Sequence, residues 1–288
     1  MTKNVLHTIR QNMPDFSKGQ KRIAAYILEN YDIAAFMTAN KLGKTVSVSE
    51  STVVRFASEL GYDGYPSMQK ALQEIIRGRL TSLQRIRASR DQMVGADIPG
   101  EVMQRDMDAI HTTIEQVDRA AFDRVVERLV GAKQIYILGV RSSSFLAGYL
   151  NFYLHLIFEN VVMVQSAAAG EIFEQLMRIG PGDVLIGISF PRYATEAVNA
   201  VHFARDRGAD VIAITDSEVS PLYRDAAAAL LVRSDMISFV DSMTAPLSLL
   251  NALIVAVGRQ KSAEISGTFS ELESIWSKYG VFGKTDDE

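Results

Sequence analysis

The stretch VSESTVVRF, residues 48–56, combines small hydroxyls, a carboxylate and an arginine at a point where a helix should begin. Ser49 is a candidate N-cap, and Ser47 with Glu50 has the spacing of a capping box, so a helix starting near Ser49 is expected. Apolar positions at helical spacing predict a buried stripe of Val53, Phe56, Ala57 and Leu60. The side chains left facing outward are Glu50, Ser51, Thr52, Arg55 and Ser58.

Three further helices are predicted ahead of this one, of which the second is a short helix at DIAAF, residues 32–36. Ser17-x-x-Gln20 opens a helical pattern that extends to about residue 30, and a shorter helix starts at Thr38 and buries Leu42. Two short helices joined by a tight turn have the layout of a helix-turn-helix, whose second helix enters the DNA major groove by its N-terminal end. Hydroxyl and guanidinium groups there contact bases or phosphates. An ordinary surface helix is the alternative interpretation.

Length and composition limit the class of protein. A chain of 288 residues is longer than most single domains, so two domains are expected. The sequence contains no cysteine, which excludes disulfides, thiolate metal sites and thiol nucleophiles, and its four histidines lack metal-binding spacing. It shows no signal peptide and no uncharged apolar run long enough to span a membrane. These features predict a cytoplasmic protein with no membrane partner.

The net charge of -4 conceals a change of sign along the chain. Residues 1–90 contain 14 Lys and Arg against 7 Asp and Glu, whereas residues 91–288 contain 16 against 27. A basic segment on an acidic body favours contact with a polyanion, because neutralised phosphates supply most nonspecific affinity for nucleic acid. A solvated basic surface is the alternative, and charge alone does not decide between them.

Residues 37–69, MTANKLGKTVSVSESTVVRFASELGYDGYPSMQ, resemble the DNA-binding segment of RpiR-type bacterial transcription regulators. The resemblance implies a double-stranded DNA operator and a homodimer or homotetramer that presents paired reader helices. The sequence departs from the family pattern at two positions: Gly43 lies within the first helix, and Ser47 stands at the turn where the family has glycine. The side chains expected to contact DNA are Lys44, Ser49, Glu50, Ser51, Thr52 and Arg55.

A strongly basic stretch, residues 65–93, follows the predicted reader helices. Its apolar residues predict a helix that pairs with a partner subunit, lies along DNA phosphates, or packs on its own domain. Two glycines and a proline within residues 94–101 mark a domain boundary. We predict an all-α helix-turn-helix domain at 1–78, linker helices at 79–114 and a ligand-binding domain at 115–288.

Short apolar runs alternate with helical patterns in the C-terminal two thirds of the chain. The runs are IYILG from 135, VVMVQ from 161, DVLIGIS from 183, DVIAITD from 210 and ALLVR from 229. The amphipathic stretches between them start near Ser143, Ala168, Thr195 and Pro221. This alternation predicts an α/β domain with a parallel, five-stranded, doubly wound sheet flanked by helices.

Ligands of such folds bind at the carboxyl ends of the strands. The loops expected there are rich in hydroxyls: GVRSSS at 139–144, SFPRYATE at 189–196 and TDS at 215–217. Neither a dinucleotide fingerprint nor a P-loop occurs, so no cofactor is expected. Three serines opening a helix suit a phosphate monoester, because hydroxyls and free N–H groups meet at the positive end of the helix dipole. Serines also cap helices for structural reasons alone.

Together these loops resemble a sugar isomerase (SIS) domain, a phosphosugar-binding fold, from about residue 115 to 260. Arg141 and Arg192 replace glycines of the family pattern, and two guanidiniums at neighbouring strand ends would bind phosphate or carboxylate. The expected effector is an anionic sugar metabolite, either a phosphosugar or a sugar acid. The candidate ligand-binding residues are Arg141, Ser142, Ser143, Ser189, Arg192 and Thr195, the last of which lies one position later than in the family.

Three functions remain open at this stage. The leading hypothesis is a DNA-binding regulator, not an enzyme, whose SIS domain senses a metabolite and modulates operator binding. A phosphosugar isomerase with an accessory N-terminal domain needs a positioned base or acid, and His155, Glu171 and Glu196 form no convincing pair. The third is a DNA-binding structural protein with a degenerate ligand site.

Overall fold

The computed structural model describes residues 5–78, 80–90, 97–165 and 170–282. The chain divides into two compact units, of which the first is Met1–Arg105 with Asp235–Ser242 and the second is Asp106–Ser234 with Met243–Glu288. The limits 1–78, 79–114 and 115–288 stay a prediction of domain organisation. No helix within the described ranges is both long and apolar enough to cross a membrane.

The first unit is built from helices. They are α1 (Val5–Asn12), α2 (Lys18–Glu29), α3 (Tyr31–Ala34), α4 (Ala39–Thr45), α5 (Glu50–Glu59), α6 (Gly64–Arg77) and α7 (Ser82–Arg90), followed by α8 (Ile98–Gln116), which contains the boundary between the units. The predicted capping box opens α2: the Ser17 hydroxyl accepts from the Gln20 N–H, and the Gln20 side chain accepts from the Ser17 N–H. The predicted stripe of α5 is buried in the core of this unit.

Helix α6 packs against α5 and is hydrogen-bonded to the segment that precedes α4. The Tyr65 hydroxyl donates to the Met37 carbonyl at 2.8 Å, and the Gln69 side chain donates to the same carbonyl at 2.7 Å. Leu72 and Ile76 on the same helix are fully buried. The basic stretch therefore forms two helices, α6 and α7, and its first half packs on its own unit, the third of the three arrangements considered above.

The second unit contains the predicted parallel sheet. Its strands are β1 (Ile135–Gly139), β2 (Val161–Val164), β3 (Val184–Ile188), β4 (Asp210–Thr215) and β5 (Ala228–Leu231), in the order β2-β1-β3-β4-β5. All four strand pairs are parallel. The five runs read from the sequence are thereby confirmed as strands.

Helices cover both faces of the sheet, which explains why β1 and β3 are buried along their whole length. They are α9 (Arg119–Gly131), α10 (Ser143–Ile157), α11 (Glu171–Leu176), α12 (Thr195–Asp206) and α13 (Thr244–Gln260). Helix α14 (Ser262–Tyr279) follows and packs against α10 and α13. The expected starts at Ser143 and Thr195 are confirmed, whereas Ala168 lies outside the described residues. The helix expected near Pro221 is wrong, because the chain forms only a short 3-10 turn at Tyr223–Asp225 before entering β5.

A segment that follows β5 in the sequence packs in the first unit. Asp241 forms a salt bridge with Arg85 of α7, with 2.8 Å between Oδ2 and Nη1, and the Arg85 side chain is only 2% exposed. The Ser238 and Ser89 hydroxyls are hydrogen-bonded at 2.8 Å. Phosphate contact was one of the arrangements considered for this basic stretch, whereas the structure buries Arg85 and pairs its charge with Asp241.

Candidate functional site

The N-terminus of α5 is capped by a hydroxyl network. The Ser49 hydroxyl accepts from the Thr52 N–H at 3.3 Å and lies 2.9 Å from the Ser51 hydroxyl and 2.8 Å from that of Thr52. The N-cap predicted at Ser49 is confirmed. The capping box of Ser47 and Glu50 does not form, because the Glu50 carboxylate accepts from the Asn40 side chain of α4 at 3.0 Å instead. Glu50 thereby ties the two reader helices together.

The turn between α4 and α5 depends on two unusual backbone positions. A Cβ at Gly43 would lie 2.9 Å from the Val48 carbonyl oxygen, so glycine is what permits α4 to approach the turn this closely. This gain offsets the low helix propensity of glycine. Ser47, at the turn where the family has glycine, adopts the left-handed conformation with φ of 54°. A residue with a Cβ costs about 1–2 kcal/mol there.

Replacing Ser47 with glycine is expected to stabilise the first unit by about 1 kcal/mol, because glycine has no Cβ to strain the left-handed turn. Operator affinity should not change, since Ser47 is not among the proposed DNA contacts. Ser58→Gly on the exposed side of α5 is the control and should cost about 0.5 kcal/mol of helix propensity. Urea denaturation measures both, and a loss of stability in Ser47→Gly would contradict the account of the turn.

The proposed DNA contacts lie at the end of α4 and in the first turns of α5. Lys44, Ser49, Glu50, Ser51 and Arg55 are exposed and Thr52 is half-buried. Arg55 donates through Nε to the Ser51 carbonyl at 3.3 Å, which leaves its terminal amino groups directed away from that bond. The structure therefore leaves this set accessible, and contact with DNA stays a proposal for each member.

The ligand loops lie at the carboxyl edge of the sheet. β1 and β3 are neighbours, with Gly139 paired to Ile188 at their ends, so the loops that follow them emerge side by side. A Cβ at Gly139 would lie 2.2 Å from the Ser143 carbonyl oxygen. This glycine is therefore what allows the start of α10 to pack directly on the end of β1.

The serines of the first loop have three different environments. Ser142 is exposed and makes no capping bond, Ser143 is 5% exposed, and the Ser144 hydroxyl donates to the Arg141 carbonyl at 2.6 Å. The expectation of free N–H groups is wrong for the first turn of α10. The N–H groups of Ser143, Ser144 and Phe145 already donate to carbonyls three residues earlier, at 3.3, 3.0 and 3.4 Å.

The second loop supplies another largely buried serine. Ser189 is 4% exposed, and its N–H donates to the Ile214 carbonyl at 3.2 Å, which extends the pairing of β3 with β4. Thr195 is exposed as the first residue of α12. Among the described residues, the hydroxyls of Ser143 and Ser189 have no hydrogen-bond partner. Two largely buried serines at adjacent strand ends therefore have hydroxyls available to a bound molecule.

Both arginines of the predicted site have strained backbones. Arg141 has φ of 58° and Arg192 has φ of 69°, and both side chains are exposed. With Ser47 they are the three non-glycine residues of the described chain that have positive φ, and the resemblance had placed a replaced glycine at each. Each of these residues therefore holds a Cβ in a conformation that glycine adopts more easily, at a cost of about 1–2 kcal/mol.

Sequence reasoning missed the polar contacts on the β4 side. The Tyr193 hydroxyl donates to Asp216 Oδ1 at 2.7 Å, joining the loops after β3 and β4. Burial, and then the Asp216 carboxylate, raise the pKa of Tyr193 well above its ordinary value, so its hydroxyl stays a donor. The Thr215 hydroxyl is bonded to that of Ser220 at 2.8 Å. In the sequence, only the polar run at 215–217 indicated that this loop contributes to the site.

Comparison with known proteins gives two family matches. Residues 3–77 match the helix-turn-helix domain of the rpiR family and residues 128–256 match the SIS domain. Together they cover more than half of the chain and fall on the two regions described above.

Individual relatives span most of the chain. An HTH-type transcriptional regulator of Caldanaerobacter subterraneus is 25% identical over 269 residues, 91% of this chain and 93% of that protein. The regulator HexR of Pseudomonas aeruginosa is 29% identical over 231 residues, 77% and 76% of the two chains. NanR of Vibrio vulnificus, solved in complex with ManNAc-6P, is 25% identical and superimposes with a TM-score of 0.60 over 98% of this chain and 100% of that one.

The strand-end geometry, the capped reader helix and the matches agree on one assignment. The chain belongs to the RpiR family of bacterial transcriptional regulators, with an N-terminal helix-turn-helix domain and a C-terminal SIS domain.

Proposed function

We propose that this regulator binds an anionic sugar metabolite at the carboxyl edge of its sheet and that occupancy changes its affinity for an operator. The observation that supports this most strongly is the pair of largely buried serines, Ser143 and Ser189, at the ends of adjacent strands. Their hydroxyls can donate to a ligand with several acceptor oxygens.

A phosphosugar suits this edge for chemical reasons. Phosphate oxygens accept from hydroxyls and from guanidiniums, and both kinds of donor are present at Ser142, Ser143, Arg141 and Arg192. NanR of Vibrio vulnificus, which was solved with ManNAc-6P, superimposes over 98% of this chain. Proposed further ligand contacts are Ser189 and Thr195.

The proposed reader is the start of α5. Hydroxyls of Ser49, Ser51 and Thr52 would contact phosphates or base edges, and Arg55 would bind guanine or phosphate. Lys44 at the end of α4 would neutralise a phosphate. The basic balance of residues 1–90 supports this assignment.

We propose that the chain regulates and does not catalyse. His155 lies near the C-terminal end of α10, which in a βαβ unit lies at the edge of the sheet opposite to the ligand loops. It therefore cannot act with Glu196, which lies in the first turn of α12. Without that pair the isomerase alternative lacks its most direct acid–base combination. We also propose a cytoplasmic location, where the operator is accessible.

Exposed apolar side chains of the second unit support a homodimer or homotetramer. Phe145 and Phe152, two turns apart on one side of α10, are 80% and 61% exposed. Helix α14 has 18 residues and none of them is buried. Exposed apolar side chains of this kind favour association between subunits, which would place two reader helices on one operator.

Two variants test the separation of the sites. Arg55→Ala should lower affinity for a selected operator duplex by roughly 10-fold to 100-fold, the range for loss of one arginine contact, while binding of N-acetylmannosamine 6-phosphate is unchanged. Ser142→Ala combined with Ser143→Ala should have the reverse effect. Fluorescence anisotropy measures the first affinity and isothermal titration calorimetry the second. If either variant lost both activities while remaining folded, the assignment of separate sites would be wrong.

A further inference from the structure

A short hairpin, residues 235–242, belongs to the first unit although the chain on both sides of it belongs to the second unit. Met236 and Asp241 pair in an antiparallel bridge, and the Ser242 N–H donates to the Asp235 carbonyl at 2.8 Å. These bonds close the segment on itself. A displacement of one end is therefore passed along the whole hairpin.

Two polar contacts and one apolar contact hold the hairpin in the first unit. The Asp241 carboxylate pairs with the buried Arg85 guanidinium, and the Ser238 hydroxyl is bonded to that of Ser89, so both polar contacts are made to α7. The Met236 side chain packs against the apolar core that also contains the buried stripe of α5. A displaced hairpin would therefore displace α7 or break a buried ion pair.

The chain enters the hairpin from the ligand edge, because β5 runs parallel to the other strands and ends where the ligand loops begin. The Val232 N–H, directly after β5, donates to the Thr215 carbonyl at 2.9 Å. Asp216, the next residue, accepts from Tyr193 of the loop after β3 at 2.7 Å. Residues 233–234 then lead into the hairpin. A change in the loop after β3 thus has a short route to the start of the hairpin.

We infer that the hairpin transmits the state of the ligand edge to the reader helices α4 and α5, and that Arg85, Asp241, Ser89 and Ser238 couple it to them. Contiguous contacts of this kind carry coupling when both sites bias the arrangement of one element, and the hairpin is that element here. This inference rests on the proposed function, because it concerns how occupancy of the proposed ligand site changes operator affinity.

An operator duplex alone is enough to test the hairpin, because coupling between two sites is reciprocal. Amide hydrogen exchange of the full chain is compared with and without a duplex obtained by in vitro selection. In the parent, the duplex should change exchange rates in residues 229–243 at least about 5-fold, the lower end of the usual coupling between sites. The double variant Arg85→Met with Asp241→Leu replaces the buried pair by apolar groups at little net cost. There the change should be present in α5 and absent from residues 229–243.

Asp32→Ala is the matched control. The Asp32 carboxylate of α3 accepts from the Gln84 side chain of α7 at 2.8 Å, a contact that holds α7 without involving the hairpin. The response of residues 229–243 to the duplex should survive in this variant. A parent that lacks the response, a response that persists in the double variant, or one that is lost in Asp32→Ala would overturn the inference.

A second measurement distinguishes this inference from the proposed function. Operator affinity is measured by fluorescence anisotropy with N-acetylmannosamine 6-phosphate, a phosphosugar, and with 6-phosphogluconate, a phosphorylated sugar acid. Either anion that changes the operator affinity of the parent should still bind the double variant in calorimetry but should no longer change its operator affinity. If the change survived in the double variant, the inference alone would be wrong. If neither anion changed the operator affinity of the parent while residues 229–243 responded to the duplex, the result would count against the proposed function alone.

Discussion

Replacing Asp241 with alanine is expected to destabilise the first unit by about 3–5 kcal/mol, the cost of removing one partner from a buried ion pair. The Arg85 and Asp241 side chains are 2% and 15% exposed, and 2.8 Å separates their charged atoms. Without the carboxylate, the buried Arg85 guanidinium would lose this ion pair. Amide hydrogen exchange across residues 5–78 should detect the loss as faster exchange in α6 and its neighbours.

The control for this variant replaces both partners. Arg85→Met with Asp241→Leu removes the two charges together and should retain most of the stability, because a buried pair can be exchanged for apolar groups at little net cost. If Asp241→Ala melted like the parent, the pair would be open to water and the segment 235–242 would not be part of the folded unit.

Replacing Gly139 with alanine is expected to have the second large effect. The new Cβ would lie 2.2 Å from the carbonyl oxygen of Ser143 and 2.7 Å from its carbon, and neither backbone atom can move without displacing the start of α10. We expect a loss of about 3 kcal/mol, at the upper end of the range for overpacked sites. Affinity for any phosphosugar found to bind the strand-end site should also fall at least about 10-fold, because Ser143 would be displaced from the strand end.

Gly148, which lies within α10, provides the matched control. A Cβ there has no neighbour within 4 Å, so Gly148→Ala should change stability by less than about 1 kcal/mol, in the stabilising direction given by helix propensity. Calorimetric melting compares the two variants directly. Equal melting temperatures of the two variants would show that the fold does not depend on the absence of a Cβ at residue 139.

Local patterns were sufficient to predict most of the fold. Capping at Ser17 and Ser49 and the buried stripe of α5 depend on residues within four positions of each other, and the apolar runs of the sheet are long and uninterrupted. The false helix near Pro221 shows the limit, since the segment Tyr223–Asp225 has room for only one turn before β5 begins.

Contacts between distant parts of the sequence could not be predicted. The salt bridge of Arg85 with Asp241 joins residues 156 positions apart, and nothing near either residue marks its partner. The bond of Tyr193 to Asp216 depends in the same way on strands β3 and β4 being neighbours. The replaced glycines at Arg141 and Arg192 were visible from the resemblance, but only the backbone angles show that the chain keeps the glycine conformation there.

The measurement that tests the account most directly is the operator affinity of the full chain with the ligand edge empty and occupied. An operator duplex obtained by in vitro selection is titrated by fluorescence anisotropy, with and without saturating 6-phosphogluconate or N-acetylmannosamine 6-phosphate. The account predicts that an anion which raises the melting temperature also changes operator affinity by roughly 5-fold to 150-fold, the usual range of coupling between two sites. An anion that binds at the strand ends and leaves operator affinity unchanged would contradict it.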